Sequence, residues 1–255
     1  MNIFDTHAHL LDEQFDADRE ELLVSLPAQG ITHVMEACCD EAGIDRVVAL
    51  VARTPYFYGS AGVHPHSASE FTPATLDHIR EALMHERMVA IGEIGLDYHY
   101  DFSPREQQRD CFDAQLALSA ELKAPIIIHD REAHGDCFAI VCEYPSLRGV
   151  FHCYSGSAEM ARELLDLGWM LSFNGAITFK NARKLKEVVA MMPADRILLE
   201  TDSPYLSPTP YRGKRNNSTR LPLVLEEMAA LRGCTRLEME HQTWDNACRF
   251  YRMEA

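Results

Sequence analysis

MVAIGEIGLDYHYDFSPREQQRDCFDAQLALSAELKAPIIIHDRE runs from Met88 to Glu132. It opens on one apolar run, Met88–Ile94, and closes on another, Pro125–His129. Neither alternates between apolar and polar residues, as a strand with one wet face would. Continuous apolarity suits a parallel strand with helices outside it and packed core inside. Between the runs, Arg105–Leu122 carries Phe112, Leu116, Leu118 and Leu122 among charges, behind a Ser103-Pro104 start signal. That is an amphipathic helix.

The same alternation extends in both directions. Strands are expected at Asn2–Thr6, Thr32–Ala37, Tyr56–Val63, Gly149–Cys153, Met170–Asn174 and Arg196–Glu200, which with the first two makes eight. Helical patterns cover Ala158–Leu167, Ala182–Met192 and Leu221–Arg232, and Leu237–Tyr251 reads as an additional terminal helix. Thr72-Pro73 and Ser157 mark further helix starts. The chain has 255 residues, the size of one barrel of alternating strands and helices. The expected fold is therefore α/β, a single (β/α)8 TIM-type barrel domain over residues 1–255 with an extra C-terminal helix. The longest irregular stretch, about Ser203 to Arg220, follows the eighth strand, and a loop of that length is often functional.

Composition narrows the function. The apolar fraction of 47% and charged fraction of 25% are those of a globular protein. A net charge of −15 argues against a broad basic face gripping a long duplex. It leaves room for a local cationic site taking a phosphate-bearing substrate. The eight cysteines form no CxxC pair and read as buried thiols in a reducing compartment. The N-terminus lacks a basic stretch followed by an apolar run, and no segment has the apolar length of a membrane span. A cytoplasmic protein is expected, with no membrane partner. Nothing in the sequence demands an oligomer, so a monomer is the expectation.

The informative residues are the polar ones that end the strands. His7 and His9 end the first, His64 the third, Glu93 and Asp97 the fourth, His129 the fifth, His152 the sixth, and Glu200 and Asp202 the eighth. All stand at carboxyl ends, which in a (β/α)8 barrel gather on the face that carries the chemistry. Acids and imidazoles at buried-type positions are costly unless something compensates them, and a bound cation does so. In His7-Ala8-His9 both imidazoles share one side of an extended segment, with Asp5 on that side as a possible orienter. Any one of these residues alone reads as an ordinary hydrogen-bonded side chain. The set of four imidazoles (His7, His9, His129, His152) and two carboxylates (Glu93, Asp202) exceeds what one tetrahedral ion needs and suits two divalent ions. Their identity stays open among Zn, Mg, Mn, Co, Fe and Ni. His33, His78, His85, His99 and His241 fall outside the pattern and read as surface or packing residues. Other chemistries fare worse. Ser60 lies in GSAG rather than GxSxG, Cys153 points away from its neighbour His152, and no GxGxxG or GxxxxGK[ST] phosphate loop is present.

Six ordered blocks, FDTHAHL, GVHP, GEIGLDY, PIIIHDREA, FHCYSG and ETDSPYL…PYRGKRN, resemble the TatD family of metal-dependent deoxyribonucleases, within the amidohydrolase-type barrels. The resemblance runs from about Ile3 to Asn216. It implies a two-metal site that hydrolyses phosphodiester bonds, typically in DNA. His7 and His9 then match the HxH ligands and Glu93 the glutamate that bridges the ions. His129 and His152 match ligands of the second ion, and Asp202 the ligand that also contacts the attacking water. Two departures stand out. Leu11 precedes Asp12 where an acid or amide often follows the HxHL block, and Asn216-Asn217-Ser218-Thr219 replaces an RNEP sequence.

The expected reaction is attack on a phosphodiester by a water that two metals activate, exonucleolytic on single-stranded or short DNA. Asp202 and Glu93 are the expected catalytic carboxylates. Arg131, Arg212 and Lys214, with Arg215 beside them, are candidates for phosphate contact. His64 is expected to face substrate or to support the ligands, and Asp97 and Glu200 to hold imidazoles or the loop. Two rivals remain: a metal hydrolase on the same barrel acting on an amide, ester or lactone, and a metal-binding protein without turnover.

Overall fold

A computed structural model describes residues 2–253. Its strands are β1 (Ile3–Ala8), β2 (Ile31–Glu36), β3 (Phe57–Ala61), β4 (Met88–Asp97), β5 (Ile126–Arg131), β6 (Gly149–Phe151), β7 (Met170–Phe173) and β8 (Ile197–Leu199). The helices are α1 (Arg19–Ser25), α2 (Glu41–Arg53), α3 (Pro73–Ala82), α4 (Arg105–Leu122), α5 (His134–Cys142), α6 (Ala158–Asp166), α7 (Arg183–Met191), α8 (Leu221–Arg232) and α9 (Arg236–Tyr251). Strand order follows chain order, β1 through β8, and the end of β1 bridges in parallel to the segment after β8 at Ala8 and Ser203. A parallel sheet with helical crossovers and adjacent first and last strands is the (β/α)8 topology, and α9 is the additional C-terminal helix.

Two compact units divide the chain, one carrying β1, β2, β7 and β8 and the other β3 to β6. In the first, Ile3, Ile31, Leu171 and Ile197 are fully or almost fully buried, with Val224 and Met228 of α8 and Met239 of α9. His33 packs there too, its ring edge-on to Trp244 at 4.6 Å. In the second, Ile91, Ile94 and Ile126 to Ile128 are inaccessible to solvent, with Phe57, Phe112 and Leu116. Local signals set the helix ends. Thr72 and Thr75 form a capping box at α3, and Thr235 and Glu238 another at α9. Gly233 ends α8 at φ 66°, a left-handed conformation that suits glycine.

The strands differ from expectation where it matters for the site. β4 continues past Ile94 to Asp97, and β5 past His129 to Arg131. The added pairs are Gly95 with His129, Leu96 with Asp130 and Asp97 with Arg131. Glycine permits this. Gly95 has φ 141°, and a Cβ there would lie 2.0 Å from the carbonyl oxygen of His129. At Gly92, with φ 158°, a Cβ would lie 2.7 Å from that of Ile127. All eight cysteines are free thiols. No helix among the described residues is long and apolar enough to cross a membrane.

Candidate metal centre

In the first unit, His7 lies in β1 and His9 just beyond it, while Asp202 follows β8. The backbone joins them: the Asp202 N–H donates to the His7 carbonyl at 2.9 Å, and the His9 N–H to the Ser203 carbonyl at 2.8 Å. Asp202 takes φ 55°, a left-handed conformation that Asp tolerates better than most residues. The two imidazole Nε2 atoms are 3.1 Å apart, and His9 Nε2 is 3.6 Å from Asp202 Oδ1. One donor atom from each of the three lies within 4.8 Å of the other two.

The loop bearing His9 is held from both sides. Glu36, at the end of β2, accepts the N–H groups of Leu10 and Leu11 at 2.9 and 2.8 Å. Arg19 donates to the carbonyls of Leu10, Leu11 and Asp12. Burial pushes the Glu36 carboxyl up to about 7, against the pull of the N–H groups and of His9. Asp5 is not seen to orient an imidazole. Its carboxylate takes hydrogen bonds from the Thr201 N–H and hydroxyl and from the Ser218 hydroxyl, and burial raises it to about 7.

In the second unit a single carboxylate oxygen gathers three imidazoles. Glu93 Oε1 lies 2.7 Å from His129 Nδ1, 2.8 Å from His152 Nε2 and 3.4 Å from His64 Nε2. His129 Nδ1 and His152 Nε2 are 3.3 Å apart. The ring of His129 is held from its other nitrogen: Nε2 is 3.3 Å from Asp97 Oδ2, which also lies 2.8 Å from His66 Nε2. The second Asp97 oxygen accepts the N–H groups of His99 and Tyr100. Burial pushes Asp97 up, but the hydrogen bonds from His129 and His66 prevail and hold it well below the usual carboxylate range. Burial pushes His64 down to about 3, aided by His129, so its ring is neutral at physiological pH. Burial also lowers His129, but Asp97 and Glu93 outweigh it and its pKa is raised.

Both groups fit a divalent ion. Metal–nitrogen and metal–oxygen bonds of ~2.0–2.2 Å place neighbouring donors ~3–3.6 Å apart; four donor separations fall in that range, and those from Glu93 to His129 and His152 are shorter, at 2.7 and 2.8 Å. Imidazole nitrogen with carboxylate oxygen is a first-row divalent donor set. The partner of the His129 ring fits too, because metal-ligating imidazoles characteristically bond a carboxylate through their other nitrogen, as His129 does with Asp97.

Four further residues surround these groups. His64 offers a donor atom alongside Glu93 and His129, closer than a substrate-facing role required. Glu200 takes hydrogen bonds from Ser172 and from Asn174 Nδ2, tying β7 to the end of β8. His66 and Glu36 were not singled out. The period-two His64-Pro65-His66 spacing was the available signal for the first. Among the phosphate candidates, Arg131, Arg212 and Lys214 are exposed. Arg131 lies over the Tyr100 ring and Arg212 over the Phe179 ring. Arg215 is instead committed to Asp18, Phe15 and the Gln14 carbonyl. The Asn216–Thr219 departure turns inward: Asn216 is buried and donates to the Thr201 carbonyl, while Ser218 serves Asp5.

A (β/α)8 chain with imidazole and carboxylate donors at its strand ends is a metal-dependent hydrolase in architecture. The sequence matches the TatD related DNase family over residues 4–252. The chain belongs to that family, a metal-dependent nuclease of phosphodiester bonds. It is 43% identical to the metal-dependent hydrolase YabD of Bacillus subtilis over 98% of this chain and 99% of that one. It is 35% identical to the 3'-5' ssDNA/RNA exonuclease TatD of Erwinia tasmaniensis, over 98% of this chain and all of that one (100%). The crystal structure of the TatD homologue YJJV from Escherichia coli superposes with a TM-score of 0.92 at 27% identity, covering 99% of this chain and 98% of that one.

Proposed function

We propose that the whole chain acts as one hydrolase domain, an exonuclease on single-stranded or short DNA that uses two divalent ions. His7, His9 and Asp202 hold one ion, and Glu93, His129 and His152 the other, with His64 beside the second set. The observation that carries this reading is the buried Glu93 oxygen with three imidazole nitrogens within 3.4 Å of it. Such a group is costly in a protein interior unless a cation or protons compensate it. Bound there, divalent ions lower the pKa of a water toward neutrality and take up charge on the phosphoryl oxygens. The mixed nitrogen and oxygen donors suit Mn, Fe, Co, Ni and Zn, with Mg as a weaker fit.

The chain's own groups supply the rest. Asp202, 14% exposed at its side chain, orients the attacking water and accepts its proton. Glu93, 3% exposed, provides the fixed negative charge of its set. Asp97 keeps the His129 ring in place. Arg131, Arg212 and Lys214 contact substrate phosphates, the two guanidiniums already placed by the rings beneath them. The name of the Erwinia relative supports a single-stranded substrate, as does a net charge of −15, which disfavours a long duplex. Eight free thiols support work in the reducing cytoplasm.

The test joins metal analysis to digestion of an end-labelled single strand. Two ions per chain are expected, with activity lost on chelation and restored by Mn²⁺. Asp202→Ala is expected to fold, as read by circular dichroism, and to lose at least a thousandfold in kcat. Near-native turnover by that variant would remove Asp202 from the chemistry. Faster turnover of a lactone or amide panel than of any phosphodiester would move the enzyme to another hydrolase class.

A further inference from the structure

The loop after β4 displays two aromatic rings to solvent while its backbone is pinned to buried groups. Tyr100 is 47% exposed and Phe102 67%. They stack with centroids 5.2 Å apart and planes 22° from parallel. The Arg131 guanidinium carbon lies 4.7 Å from the Tyr100 centroid. His66 sets its edge against Phe102 at 4.7 Å and against Tyr100 at 5.5 Å.

Beneath the rings, Asp97 accepts the His99 and Tyr100 N–H groups, both at 2.9 Å. Gln108, itself buried, accepts the Asp97 N–H and donates to the carbonyls of Asp97 and Ser103. The Ser103 hydroxyl donates to the His66 carbonyl. Exposed rings gain little from being fixed this way unless something stacks on them. The same Asp97 carboxylate holds His129. One buried group thus ties the backbone beneath the rings to a candidate metal ligand, and the His66 ring that packs on both aromatics lies 6.3 Å from that of His129.

We propose that Tyr100 and Phe102 form a seat on which a base of a single-stranded nucleic acid stacks, with Arg131 bracing the Tyr100 ring. This rests on the nuclease reading above. Electrostatics favours it over a backbone grip. A chain of charge −15 draws little affinity from phosphates at a distance, whereas stacking is uncharged and accepts any base. Phe102, the more exposed ring, offers the open face, and its partner Tyr100 is held from behind by the guanidinium.

The test compares KM and kcat on a labelled 12-nucleotide oligothymidylate with those on the same strand made abasic around the cleaved bond. Enzyme loaded with Mn²⁺ is used, with metal content checked in each variant. Wild type is expected to have a markedly lower KM on the full strand. Phe102→Ala is expected to raise that KM roughly tenfold or more with little change in kcat, so that discrimination against the abasic strand collapses. Phe102→Trp is expected to restore it. An unchanged KM in Phe102→Ala, or an equal loss on both strands, overturns the seat while leaving the nuclease reading intact. Failure of the wild type to cleave either strand overturns the nuclease reading itself.

Discussion

Gly95→Ala changes one hydrogen into a methyl group and reaches the candidate metal centre through backbone alone. The new Cβ would lie 2.0 Å from the His129 carbonyl oxygen, 3.0 Å from its carbon and 3.1 Å from its nitrogen. An ordinary carbon–oxygen contact is about 3.3 Å or longer. Either β4 or β5 must therefore retreat by more than about 1 Å at the residue that carries His129. The φ of 141° adds strain, because it lies in a region that side chains rarely adopt. Strain and overpacking of this kind cost ~2–5 kcal/mol together. His129 Nδ1 sits 2.7 Å from Glu93 Oε1, and a displacement of ~1 Å from productive geometry costs about a hundredfold in rate. Urea denaturation and metal content after dialysis read the two effects separately. The expected result is a lower midpoint together with weaker retention of metal by the group that contains His129. A variant with wild-type midpoint and full metal content would refute the claim that the β4–β5 approach sets the position of His129.

Glu36→Gln leaves one of the Leu10 and Leu11 N–H groups facing an amide NH2 in place of an acceptor. The expected cost is ~1–3 kcal/mol of stability with weaker retention of the ion held through His9, measured by denaturation and metal titration. His134 tests pH dependence. Its hydrogen bond to Asp130, at 2.8 Å, raises its pKa above the ordinary 6.5, with burial opposing. The stability it adds is fully present below pH 6.5 and fades as pH rises through the folded-state value. His134→Asn should therefore lower the unfolding midpoint more at pH 5.5 than at pH 9, and an equal effect at both would rule the interaction out.

The sequence made the strands and the six proposed ligands legible because apolar runs ending in His, Glu or Asp break a strong local pattern. The Arg105–Leu122 and Leu221–Arg232 helices were readable to the residue from their periodicity and flanking signals. What was not legible is relational. Gly95 carries no polar signal, and its importance exists only against the His129 carbonyl. Glu36 looks like an ordinary strand-end acid until the loop after β1 folds back onto it. Arg215 resembles its neighbour Arg212 in sequence, and only the position of Asp18 separates a structural arginine from an exposed one. Asp5 shared a side with His7 on paper, but Thr201 and Ser218, 196 and 213 residues away, claim its oxygens.

The order in which the ribosome emits these residues has a consequence for assembly. His64, Glu93, His129 and His152 are all translated before Asp202. His7 and His9 precede them in the chain, yet Asp202 beside them follows β8, the last strand in chain order among the described residues. A cation held by His7, His9 and Asp202 would close a loop of nearly two hundred residues. Metal starvation would then be felt most at the seam between β1 and the segment after β8.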